Sequence, residues 1–188
     1  MKYLKKASLI LISTLLIGCA SSEKQSLCDS SNTELNSIYN HVLSLPTNID
    51  MVNGSTEIHS YTFEVTSPKN ICSIGYQSLP VMETIAYRIE LYDNSSSMLI
   101  YSGEHIFSSA TTSYVSVGSI PLIVGHSYTI KRIQTNWGSN IENAMGRLAR
   151  GEFWTEGYPY ASGALKITSS YFGEEDGAVI PYIDIVFE

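Results

Sequence analysis

The chain has 188 residues, 44% hydrophobic, 15% charged and 11% aromatic, with 18 acidic against 11 basic side chains and a net charge of −7. That length carries one domain with a proper core, and the composition excludes collagen-like, coiled-coil and disordered chains. The acidic balance argues against nucleic acid as a partner, and low charge with 28 Ser, 13 Thr and 13 Tyr points to an all-β protein outside the cytoplasm.

Residues 1–18 read as an export signal. Lys2, Lys5 and Lys6 make the positive end, Ala7 to Ile17 is an apolar run too short to span a bilayer, and Gly18 is small. Leu16-Ile17-Gly18-Cys19 resembles the lipobox of bacterial lipoproteins. The resemblance implies cleavage before Cys19, which then carries the lipid and anchors the chain to the membrane. Ala20 and Ser21 follow where an Asp would signal inner-membrane retention, so the expected address is the outer membrane of the bacterial envelope. Cleavage removes three of the 11 basic residues and none of the acidic ones, moving the charge from −7 to −10.

Residues 19–31 are small and polar and read as a tether. With Cys19 lipidated, Cys28 and Cys72 remain. An oxidising compartment predicts that they pair, the alternative being two buried thiols; their spacing fits no metal site.

The domain is expected over 32–188, opening with a helix over 32–45. Ser31-Asn32-Thr33-Glu34 matches a capping box. Leu35, Ile38, Tyr39, Val42 and Leu43 then recur at helical spacing, and Pro46 ends the run. From Glu57 the period becomes two. Tyr61, Phe63 and Val65 form one face of a first strand, and Pro68-Lys69-Asn70 reads as a turn before Ile71 to Gln77. Tyr87, Ile89 and Leu91 mark a half-buried strand that turns through Asp93 to Ser97 into Met98 to Ser102. Ser113 to Gly118, Ser127 to Thr135, Ala164 to Tyr171 and Val179 to Phe187 complete about eight strands. The expected fold is all-β, an antiparallel β-sandwich with a short N-terminal helix.

Three stretches carry a second resemblance. They are Tyr87 to Asp93 with Leu99-Ile100-Tyr101, Ile120-Pro121-Leu122 with Val124 to Ile130, and Tyr182 to Phe187. They look like a family of extracytoplasmic bacterial β-sandwich domains of unassigned function. The resemblance implies a jelly-roll-like arrangement and brings no catalytic residues with it.

Asn136 to Gly163 breaks the alternation, with a short helix expected over Asn140 to Arg150. It concentrates aromatic side chains that suit the apolar faces of sugar rings: Trp137, Trp154, Tyr158 and Tyr160, with Asn136, Asn140 and Arg150 to bond hydroxyls. The alternative is an aromatic cap on the open end of a sandwich. Gly125-His126-Ser127 lacks the following glycine of a hydrolase elbow, since Thr129 stands there. His41, His59, His105 and His126 lack metal-site spacing, and the acidic run Glu174-Glu175-Asp176 reads as a solvated turn before a calcium loop. No catalytic residue, metal or cofactor is expected. The expected function is non-catalytic recognition, of glycan or another envelope component. The alternative is a structural or assembly lipoprotein that binds an envelope protein.

Overall fold

The computed structural model describes residues 28–51, 57–139, 146–151, 158–171 and 178–188. Among them are one α-helix and twelve strands in three antiparallel sheets, an all-β, sandwich-like fold. The export segment, Cys19, Asn140, Trp154 and the acidic run at 174–176 lie outside the described residues.

Helix α1 spans Glu34–Ser44. Thr33 caps it, its hydroxyl accepting from the Asn36 N–H at 3.0 Å. Leu35, Ile38, Tyr39 and Val42 are buried, as the spacing predicts. Each such side chain contributes about 1.5–3 kcal/mol by leaving water.

The strands are β1 (Ile49–Met51), β2 (Ile58–Val65), β3 (Lys69–Tyr76), β4 (Tyr87–Asp93), β5 (Met98–His105), β6 (Ser113–Leu122), β7 (Ser127–Gln134), β8 (Leu148–Arg150), β9 (Tyr160–Ser162), β10 (Leu165–Tyr171), β11 (Ala178–Pro181) and β12 (Asp184–Phe187). The largest sheet runs β5-β4-β7-β2-β10-β9, and a three-stranded sheet runs β12-β3-β6. The chain passes from one to the other after β2, β3, β5 and β6, so the two sheets are stitched together by their loops. The third sheet, β1-β8-β11, is built from short strands.

The core lies between the sheets. Tyr61, Phe63 and Val65 of β2 and Tyr87, Ile89 and Leu91 of β4 face Ile71, Ile74 and Tyr76 of β3 and Ile185 of β12 within one hydrophobic cluster. Helix α1 packs on β9, β12 and β8. β9 and β12 are edge strands of the six-stranded sheet and of the β12-β3-β6 sheet. Cys28 and Cys72 are disulfide-bonded, fastening the segment before α1 to the middle of β3.

Four expectations change. Lys69 and Asn70 belong to β3, paired with Leu122 and Pro121, so the preceding turn is shorter. The last strand divides: β11 pairs with β8 and β12 with β3, in different sheets. The helix expected over Asn140 to Arg150 fails at its described end, because Leu148–Arg150 is a strand held between β1 and β11 with Leu148 and Ala149 buried. Pairing on both sides outweighs a weak local helical preference. The count of about eight strands becomes twelve because the last strand divides and because β1, β8 and β9, each of three residues, are too short for alternation to show.

Candidate functional site

The register of the six-stranded sheet defines two ends. At one, Glu64 pairs with Ser127, Asp93 with Met98 and Val65 with Leu165. At the other, Ile58 pairs with Ile133, Ser60 with Tyr171, and Tyr87 with both Gln134 and His105. The sequence-predicted aromatic segment begins at this second end.

β7 leaves the sheet through Gln134, whose amide nitrogen donates to Asn136 Oδ1 at 3.1 Å. The Thr135 hydroxyl donates to the Ala86 carbonyl at 3.0 Å, fixing the exit against the segment before β4. Trp137 follows on a 3₁₀ turn, Trp137–Ser139, and is half-buried, as is Asn136. Tyr171 ends β10 at the same end and is 58% exposed. β2 lies between β7 and β10, so the two exits stand about 10 Å apart.

The other predicted residues have different surroundings. Tyr160 is buried in the core, edge-on to Tyr158 at 5.0 Å, and takes an edge contact from His41 of α1. Tyr158 is half-buried and its hydroxyl donates to Ser170. Burial pushes the Tyr158 phenol up to about 12, although the Ser170 hydrogen bond works the other way. These two tyrosines fasten β9 to β10, as an aromatic cap does. Arg150 is exposed on β8, in the third sheet.

Beneath this end lies a buried group that the sequence analysis did not single out. Arg132 is fully buried, although it stands in phase with Tyr128 and Ile130, the inward face of β7. Its guanidinium carbon sits 5.5 Å from the Tyr76 ring centre and 5.3 Å from that of Tyr87. Tyr76 meets Tyr87 at 5.3 Å and Phe107 at 5.6 Å, both edge to face. His59, fully buried, is the register partner of Arg132 on β2. Burial, with the nearby Arg132 charge, holds its imidazole well below the ordinary histidine range, so it is neutral at pH 7. The readable signal was the phase. His59, Tyr61, Phe63 and Val65 share one face, and so do Arg132, Ile130 and Tyr128.

The remaining polar clusters do structural work. At the first end, Asp93 Oδ1 accepts the N–H groups of Ser95 and Ser96, and His126 Nδ1 donates to Asp93 Oδ2 at 2.9 Å. Ser127 N–H donates to Ser95 Oγ, and the Asn94 amide nitrogen donates to Ser127 Oγ. The serine next to His126 is thus occupied in joining two turns. Arg147 forks onto Asp50, Nη2 at 2.6 Å from Oδ2, between the rings of Tyr39 and Tyr182. Among the described residues, no three His, Cys, Asp or Glu side chains group so as to hold a metal ion, and no helix is long and apolar enough to cross a membrane.

Neither protein-family models nor curated proteins match this chain.

Proposed function

We propose that the chain is a lipid-anchored envelope lipoprotein whose β-sandwich is a non-catalytic recognition module, with glycan as the favoured ligand. One observation supports this most directly: Trp137, flanked by the Asn136 amide, and the exposed Tyr171 stand at the same end of a rigid sheet. Flat aromatic faces pack on sugar C–H surfaces, and an amide serves the hydroxyls. Recognition by residues at the rim of a stiff scaffold costs little ordering entropy. The lipobox at Leu16 to Cys19 supports the anchor, and Ala20 and Ser21, in place of an Asp after Cys19, support the outer-membrane address.

The test is a glycan-array screen of wild type, Trp137→Ala and Tyr171→Ala, with folding checked by circular dichroism. Selective binding lost in either folded variant supports the reading. A blank array with folded wild-type protein overturns it for glycan.

A second reading, an assembly lipoprotein, draws on edge strand β5 and on Ile106 just beyond it, 57% exposed. Crosslinking in the native membrane that captures one dominant protein through this edge would favour it.

A further inference from the structure

The end of the sandwich away from Trp137 carries an apolar tip. Ile123 and Val124 sit in the turn joining β6 to β7 and are 56% and 47% exposed. The His126 N–H donates to the Ile123 carbonyl at 3.1 Å, and Gly125 takes φ +83°, which places Val124 at the first corner of the turn. Turn corners ordinarily carry Gly, Pro, Asn, Asp or Ser. Here two adjacent β-branched apolar residues stand about half exposed instead.

They have company. Met98 and Leu99 open β5 and are 59% and 48% exposed. Met98 pairs with Asp93, Asp93 binds His126, and Ser127 binds Ser95. The two turns are therefore locked together, and their exposed apolar side chains share one end.

The described chain begins against the middle of the β12-β3-β6 sheet, about three residues along β3 from this end. Cys28 is bonded to Cys72 and lines a groove with Ser116, Gly118 and the C-terminal Glu188. The Glu188 N–H donates to the Asn70 carbonyl, one residue from the Lys69–Leu122 pair beside the tip. Only eight residues separate Cys19 from Cys28. Fully extended, that stretch reaches about 30 Å. A lipid on Cys19 would therefore bring this end within reach of the bilayer.

We infer that Met98, Leu99, Ile123 and Val124 seat the domain on the phospholipid surface, holding the Trp137 end away from the membrane. This rests on the lipid-anchor reading above. The contact is apolar: the two lysines near this end are paired, Lys69 with Glu34 at 3.7 Å and Lys166 with Glu64 at 3.1 Å. Seating is accordingly insensitive to salt and needs no anionic lipid.

The experiment places a photo-crosslinking residue at position 124 or, as control, at position 171 of the full chain in its native membrane. Mass spectrometry then reads lipid and protein adducts, and the acylation of the Cys19 peptide. The two positions stand at opposite ends of strands about 25 Å long, so lipid adducts at 124 should exceed those at 171 by about tenfold or more. An acylated chain with no lipid adduct at 124, with equal lipid adducts at both positions, or with a protein adduct at 124 instead, overturns the seat and leaves the anchor standing. An unacylated chain that still gives the adduct at 124 overturns the anchor and supports the seat. An unacylated chain without that adduct overturns both.

Discussion

Thr33 donates its hydroxyl to Asp184 Oδ2 at 2.9 Å, across 151 residues of sequence. The same hydroxyl oxygen accepts from Asn36 N–H and so caps α1. One side chain thus starts the helix and docks it on β12. Tyr114 from β6 reaches the same carboxylate oxygen at 2.8 Å. Thr33→Ala removes both the cap and the buried bond, and should cost about 1–3 kcal/mol in urea unfolding, whereas Thr33→Ser should cost well under half of that. Equal losses in the two variants would refute the hydrogen-bonding account.

Asp184 makes stability depend on pH. Burial pushes its carboxyl up to about 6, against hydrogen bonds from Tyr114, Thr33 and Tyr182 that pull it down. The ordinary value is 3.8. Between these values the folded protein holds the proton more often than the unfolded chain. The contribution is fully present below about pH 4 and is lost as pH rises through 6. Its size is on the order of 3 kcal/mol, since each tenfold difference in proton affinity between the folded and unfolded chain corresponds to about 1.4 kcal/mol. Asp184→Asn should therefore gain on wild type as pH rises from 4 to 7 in denaturant titrations. A difference that stays constant over that range would contradict the assignment.

The Cys28–Cys72 bridge closes a loop of sequence separation 44. In the chain-entropy model that stabilises by about 4 kcal/mol. The double variant Cys28→Ser with Cys72→Ser should lose up to that amount by thermal melting while keeping its far-ultraviolet spectrum. An unchanged Tm would mean that the unfolded chain is already constrained.

Gly146 is needed for space. A Cβ there would run into the Tyr76 hydroxyl. Gly146→Ala should destabilise by about 1–3 kcal/mol, the usual cost of overpacking. Tyr76→Phe removes the oxygen but leaves the ring Cζ in the way of that Cβ, so the double variant should recover only part of the Gly146→Ala loss. Strict additivity would show that the clash is relieved elsewhere.

Trp137 is half-buried and Tyr171 exposed. Tyr171→Ala should therefore leave Tm within about 2 °C of wild type, as surface substitutions usually do. Tyr160→Ala should cost about 3 kcal/mol or more, because it empties a core site. A calorimetric scan of both variants separates the surface aromatic from the structural one.

Where a segment spans several turns or several alternations, the chain by itself declares its form. Leu35, Ile38, Tyr39 and Val42 repeat along one helix face, and Tyr61, Phe63 and Val65 along one strand face. Their periodicity determined α1, most of the long strands and the all-β class, and compartment chemistry pointed to the disulfide. Three-residue strands hold too few alternations to be read. β1, β8 and β9 exist because neighbours supply hydrogen bonds, not because Leu148-Ala149-Arg150 prefers extension. The aromatic segment was visible as composition, yet only packing assigned its members, Tyr160 to the core and Trp137 to the half-buried exit of β7. The tertiary structure likewise placed Asp184 beside Thr33 and Arg132 between Tyr76 and Tyr87. Burial and charge pairing depend on which distant residues the sheets bring together, and local sequence period carries no information about that.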